Sequence, residues 1–196
     1  MTIHPIDQAL ALILKVITRK YRLITPIISG LLIVSDLSNA DLNLNQVPPI
    51  IELSGDHGGR LNGTSWNSSE LKGMLHILMY VDPDKINVNE HVEDALSKEQ
   101  YPLEAIRSVA IINLAATWKP KFIIETILKR KQKKFPRTTY ITDKSKVLVK
   151  RWGLSDHSYN VLVFSSAGNL LFNKPSALSE GDIVNSTTMI WSQISK

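Results

Sequence analysis

Leu71-Lys72-Gly73-Met74-Leu75-His76-Ile77-Leu78-Met79-Tyr80-Val81-Asp82-Pro83-Asp84-Lys85-Ile86-Asn87-Val88-Asn89-Glu90-His91-Val92-Glu93 is the stretch on which the fold turns. Met74 to Val81 is an apolar run of strand length, bounded by Gly73 on one side and Asp82-Pro83-Asp84 on the other. That pattern predicts a buried strand. Asp82-Pro83-Asp84 predicts a turn that also starts a helix, because Asp accepts from the free N–H groups of a helix start and Pro pre-sets φ. Ile86, Val88, Val92, Ala95 and Leu96 then recur at helical spacing, with Glu90, Glu93, Lys98 and Glu99 facing outward. A helix over 84–100 follows, ended by Tyr101-Pro102. Strand, sharp loop and helix start is a place where α/β proteins position their chemistry.

Working outward, Arg107 to Leu114 reads as a second buried strand and Thr138 to Thr142 as a third. Between them Trp118-Lys119-Pro120 opens a helix with Phe122, Ile123, Ile124, Ile127 and Leu128 inward, closing on a basic run before Pro136. Val147 to Trp152 fits either a short helix or a strand, ended by Gly153. Asn160–Phe164, the turn Ser165-Ser166-Ala167-Gly168 and Asn169–Phe172 predict a β-hairpin, and Ser179 opens a last helix through Ile183, Val184, Met189, Ile190 and Ile194. Upstream, Val47-Pro48-Pro49 is an extended lead-in. Ile50–Leu53 reads as a first strand, Ser54–Gly59 as a turn, Leu61–Trp66 as a return strand, and Asn67–Gly73 as a capped single helical turn.

The first forty residues stand apart. The cluster Arg19-Lys20-Tyr21-Arg22 precedes an apolar run of twelve, Leu23 to Val34, and then the small residues Ser38 and Ala40. Basic, apolar, small-x-small is the plan of a secretory signal peptide, cut before Asp41. The run falls short of the ~20 residues a spanning helix needs. The apolar stretch Ala9 to Ile17, interrupted only by Lys15, makes the basic region unusually long; the alternatives are a true start further downstream, an uncleaved anchor, or an amphipathic helix packed on the domain. Residues 41–196 form one domain, with no internal repeat and no second domain. The net charge is +5, and without residues 1–40 it is +3, which is only mildly basic. The sequence has no cysteine, which excludes disulfides, thiolate nucleophiles and Cys-ligated metals.

The chemistry-bearing residues are sparse. Lys129, Arg130, Lys131, Lys133 and Lys134, with Arg137 beyond, form a basic patch that reads first as a helix C-terminus complementing its dipole and second as a surface for an acidic partner. No recognition-helix or zinc-finger pattern accompanies it, so no nucleic-acid partner is expected. His57, His76, His91 and His157 lack metal-ligand spacing, and no metal or cofactor is expected. Ser155-Asp156-His157-Ser158 collects triad residue types in one loop, but triads assemble from distant segments, and the reading is a loop before the hairpin. Gly55, Gly58 and Gly59 lack the context of a dinucleotide site and read as a hairpin turn.

The element order strand, helix, strand, helix, strand, hairpin, helix resembles the thioredoxin-like plan. Val47-Pro48-Pro49-Ile50, Trp66-Asn67-Ser68-Ser69-Glu70-Leu71-Lys72-Gly73 and Tyr140-Ile141-Thr142-Asp143 are more narrowly similar to the YtfJ-type family of exported bacterial proteins. The resemblance spans about residues 46–195. It implies an α/β thioredoxin-like three-layer sandwich, a central mixed sheet flanked by helices, a periplasmic location and no established activity. The Cys-x-x-Cys position of redox members falls near Pro83 to Ile86, where there is no thiol, and their cis-proline position falls near Ser158-Tyr159-Asn160, where there is no proline. Disulfide exchange needs an attacking thiolate, so the resemblance carries over the scaffold and not the reaction. The expected role is binding an envelope protein or peptide in a groove near Tyr80, Asp82, Pro83, Asp84 and Tyr159, with Trp118 at its flank. Contact with the membrane is expected only through an uncleaved N-terminal segment. Two alternatives are a non-thiol enzyme using Asp82 and Asp84, and a cytoplasmic regulator binding through the basic patch.

Overall fold

The computed structural model describes residues 42–102 and 104–195. The segment read above as a signal peptide or anchor lies outside the described residues. Eight strands and four α-helices follow in chain order: β1 (Glu52–Leu53), β2 (Gly58–Arg60), β3 (Trp66–Asn67), β4 (Leu75–Val81), α1 (Glu90–Lys98), β5 (Ile106–Asn113), α2 (Lys121–Lys134), β6 (Thr138–Asp143), α3 (Val147–Trp152), β7 (Tyr159–Phe164), β8 (Leu170–Pro175) and α4 (Glu180–Ile194). Six strands form one sheet in the order β2-β6-β5-β4-β7-β8, and β1 and β3 pair in a small second one. β4, β5 and β6 run parallel, whereas β2, β7 and β8 are antiparallel to their neighbours. The expected mixed central sheet is present.

The central strands are apolar on both faces because both are covered, the arrangement that produces uninterrupted apolar runs. Ile77, Val81, Ala110, Ile112, Tyr140, Tyr159 and Val161 pack with Val92 of α1, Ile124 and Leu128 of α2 and Ile190 of α4. The other face packs Leu78, Tyr80, Ile111, Ile141 and Leu162 against Leu148 and Trp152 of α3, Ile51, Leu53 and Trp66. The three layers are therefore α1, α2 and α4 on one side, the sheet, and α3 with the small sheet on the other.

Several local expectations are corrected. Gly58 and Gly59 do not form a turn: they sit in edge strand β2 with φ of +130° and +128°, paired with Asp143 and Thr142. Leu61–Trp66 is not a return strand, and β1 pairs instead with Trp66–Asn67. The helix after β4 begins at Glu90 rather than Asp84, preceded by a 3-10 turn over Ile86–Asn89. Val147–Trp152 is helical, and Gly153 closes it in the left-handed region. In α2 only Ile124 and Leu128 are buried, while Phe122, Ile123 and Ile127 are exposed. Val184 of α4 is exposed as well. A helix packed on one side buries one stripe, and α2 carries more apolar residues than its stripe can hold. The capping expectations agree with the structure: Asn67 with Glu70, and Ser179 with Asp182, each form a reciprocal capping box.

Candidate functional site

The carboxyl ends of the three parallel strands converge on one edge, the usual position for a site in an open α/β sheet. Val81, Asn113 and Asp143 end β4, β5 and β6, and antiparallel β7 starts beside Val81 with Tyr159. Two loops meet there. Asp82 N–H donates to the Ser158 carbonyl at 2.9 Å, which clamps the loop after β4 to the segment before β7. Asp82 is buried, and its Oδ1 accepts from Asp84 N–H at 2.8 Å, while Lys85 N–H donates to the Asp82 carbonyl. The Asp-Pro-Asp turn is thus locked by its own first residue, which is the tendency of Asp at turns.

His157 stands over this turn with φ of +48° and 61% of its side chain exposed. Its Nδ1 lies 3.3 Å from Asp82 Oδ2 and its Nε2 lies 3.7 Å from Asp156 Oδ2. Both ring nitrogens therefore face carboxylates. Asp156 is ion-paired with Lys146, accepts from His157 N–H at 3.0 Å and accepts from Asn113 Nδ2 at 3.0 Å. Burial pushes the Asp156 carboxyl up, but the Lys146 ammonium and the His157 N–H outweigh it, so the group sits below the usual aspartate value. Asn113 is buried, and its Oδ1 has no hydrogen-bond partner among the described residues.

Beneath this surface Asp143 is fully buried. Its Oδ1 accepts from Ser145 and Val147 N–H, both at 3.0 Å, and its Oδ2 accepts from Leu148 N–H and Tyr80 O–H, both at 3.1 Å. One carboxylate thereby ends β6, starts α3 and holds a tyrosine from β4. Burial, with the Asp143 charge beside it, raises the Tyr80 phenol far above the ordinary value and keeps it a neutral donor. Asn160 fixes the neighbouring loop by accepting from Ser155 N–H at 3.1 Å and donating to the Ser155 carbonyl at 2.9 Å.

The expected site residues divide. Asp82, Pro83 and Asp84 lie together in the loop after β4. Tyr80 and Tyr159 are both buried, on opposite faces of the sheet, and do not flank one groove. Trp118 is 87% exposed and packs against no core. Asp84 is on the surface, and its bond to Lys119 at 2.6 Å holds its carboxyl below the usual aspartate value, so it is ionised rather than poised to deliver a proton. The basic patch is split: Lys129, Arg130, Lys133, Lys134 and Arg137 are exposed, while Lys131 is half-buried beside the sheet. Asp143, Asn113 and Asn160 were not read as site residues from the sequence, although Asp143 closes one of the family-like stretches. The available signal was a lone polar residue at one end of each apolar strand, last in β5 and β6 and near the start of β7. Among the described residues no group of three or more His, Asp or Glu side chains is placed to hold a metal, and no helix is long and apolar enough to cross a membrane.

Solved structures similar to this one include a thioredoxin and two thiol-disulfide proteins. An exposed lipoprotein thioredoxin of Streptococcus pneumoniae shares 14% identity, with 72% of this chain and 99% of that chain covered at a TM-score of 0.50. A thiol-disulfide isomerase of Corynebacterium glutamicum shares 12%, covering 76% and 97% at 0.53. The thioredoxin domain of a thiol-disulfide oxidoreductase of Bacteroides vulgatus shares 11%, covering 76% and 98% at 0.52. At such identities the likeness establishes the thioredoxin-like fold and nothing about activity. No curated protein matches the sequence. One family model matches residues 48–193, and on that match the chain belongs to the family described as "Bacterial protein of unknown function (YtfJ_HI0045)".

Proposed function

We propose that the protein is exported to the periplasm through its first forty residues and acts there as a binding or accessory protein. It would hold an envelope protein or peptide against the surface formed by 82–85 and 156–158. The observation that carries this reading is the state of that surface. Its groups are fixed by mutual hydrogen bonds, its carboxylates Asp84 and Asp156 reach the surface as acceptors, and it contains no thiol. Such a surface suits recognition of N–H donors, because its geometry is already paid for before a partner arrives. Catalysis is supported less well. A general base needs a ring nitrogen facing the proton it abstracts, and both nitrogens of His157 face carboxylates. Export rests on the basic, apolar, small-x-small order of residues 19–40.

Fractionation of the native cell type, with the intact mass of the product, tests export. A soluble periplasmic product starting at or near Asp41 is the expected result, and full-length protein in the cytoplasm would refute it. Site-specific photo-crosslinking in the same cells tests binding. Probes at Lys85 and His157 should give one discrete adduct that a probe at Glu52 does not give. Equal labelling from all three positions would remove the binding surface from these loops.

A further inference from the structure

We propose that a cavity between the sheet and helices α1 and α2 is a binding site for a free amphipathic carboxylate, with an apolar body of about ten carbons. The site is separate from the loop surface discussed above and does not depend on it. Its walls are Ile77, Met79 and Val81 of β4, Ala110 and Ile112 of β5, and Leu128 of α2, and its volume is about 290 Å³. Folded interiors are packed nearly as densely as organic crystals, with few voids larger than a water molecule. A recess of this size that reaches into the main core from the surface is therefore space the packing has left for another molecule. An apolar cavity of ~150 Å³ accepts a benzene molecule, so this one accommodates roughly ten to twelve non-hydrogen atoms.

Among the described residues the charged groups around it have one sign. Lys131 of α2 lines the cavity, is half-buried, and makes no ion pair among the described residues. An adjoining groove shares Leu96, Tyr101, Ile106 and Ser108 with the cavity and adds Arg107 and Arg137. No described Asp or Glu lines either space. Tyr101 belongs to both, and its buried hydroxyl has no hydrogen-bond partner among the described residues. Buried polar groups are nearly always paired, so an unpartnered hydroxyl on a cavity wall is a second indication of a ligand. An aliphatic interior with cations at the rim matches an alkyl chain ending in a carboxylate. A neutral hydrocarbon would leave Lys131 unused, and a cationic amphiphile would be repelled.

Calorimetric titration of the purified full chain with decanoate, decanol and decyltrimethylammonium tests the assignment, below the micelle threshold of each. Saturable one-to-one binding of decanoate is expected, with the ammonium compound at least tenfold weaker. Lys131→Met should weaken decanoate about tenfold, the loss of one charge-assisted contact, while leaving decanol unchanged. Ala110→Ile, which adds three carbons within the cavity, should abolish binding of both. Absence of saturation by decanoate, equal binding of all three compounds, or an unaltered Lys131→Met titration would each overturn the proposal. If Ala110→Ile fails to melt cooperatively, a decanoate carrying a terminal diazirine replaces it. Adducts within 77–81 or 128–135 support the site, and adducts confined to other segments refute it.

Discussion

Asp143→Asn is the substitution that tests most of the architecture at once. The native carboxylate accepts four hydrogen bonds, two at each oxygen. Asparagine keeps an oxygen to serve Ser145 and Val147, but its amide nitrogen cannot accept from Leu148 N–H or the Tyr80 hydroxyl. Two hydrogen bonds to a charged acceptor are lost, each contributing about 1.5–3 kcal/mol. The NH₂ group is then set against the Leu148 N–H in a site with no solvent access, and the Tyr80 hydroxyl can only turn round to accept from it, which recovers part of one bond. The expected destabilisation is about 3–5 kcal/mol. Tyr80→Phe removes one of the same bonds and should cost about 2 kcal/mol. Urea denaturation followed by tryptophan fluorescence is a direct assay, because Trp152 lies on α3, the helix that Asp143 starts. An Asp143→Asn protein within 1 kcal/mol of wild type at unchanged m-value would show that the carboxylate does not hold β6, α3 and β4 together.

Gly58→Ala should destabilise the domain by roughly 2–4 kcal/mol in the same assay, because its Cβ would lie 1.9 Å from the Thr142 carbonyl oxygen at a φ of +130°; an unaltered midpoint would mean β2 is not held in its observed pairing. Burial lowers the His76 pKa from its ordinary value of 6.5, only partly offset by the bond to the Met74 carbonyl. The unfolded chain then binds a proton before the folded one does, so stability should fall as pH drops below about 6.5, and His76→Gln should flatten that limb of a stability–pH curve. Asp156, lowered in the fold, acts in the acid range: its contribution is present above the unfolded value of 3.8 and is lost as pH falls through the lower folded one. Asp156→Asn should remove that part of the acid transition, and an identical acid limb would contradict the Lys146 pairing. Trp118, 87% exposed, should account for more of the iodide-quenchable fluorescence than Trp191, which is 36% exposed, and Trp118→Ala should shift stability by no more than about 0.5 kcal/mol. Trp152→Ala, which removes a buried ring and its bond to the Pro49 carbonyl, should cost about 3–5 kcal/mol.

The layered plan was legible because central strands covered on both faces must be apolar throughout, and Met74–Val81, Arg107–Leu114 and Asn160–Phe164 leave little other use for such runs. Caps were legible for a related reason: Asn67 with Glu70 and Ser179 with Asp182 act over three residues. The failures all involve information from further away. Gly58-Gly59 looks like a turn until Thr142 and Asp143 are known to lie beside it, because the glycines make room for a neighbouring strand rather than reverse the chain. Phe122, Ile123 and Ile127 satisfy helical periodicity, yet the width of the buried stripe depends on how α2 sits on the sheet. The delayed start of α1 follows from Asp82, whose side chain closes a turn at Asp84 instead of capping a helix.

The site was half legible, and the missing half is a matter of parity. Asp82, Pro83 and Asp84 are adjacent in sequence, so any fold that ends a strand at Val81 keeps them together. Tyr80 and Tyr159 come from antiparallel neighbours, and a shift of one residue in register exchanges the faces of every side chain. The observed register pairs Val81 with Tyr159 and Tyr80 with Asn160. Tyr80 therefore faces Asp143 and α3, while Tyr159 shares the opposite face with α1 and lines the 290 Å³ cavity. This separation has a measurable consequence. In double-mutant cycles, Tyr80→Phe and Asp143→Asn remove the same bond and should be non-additive by about 1–2 kcal/mol. Tyr159→Phe and Asp143→Asn act across the sheet with no bond between them and should add to within about 0.5 kcal/mol. Coupling of Tyr159 rather than Tyr80 to Asp143 would mean that β7 pairs with β4 one residue out of the register observed.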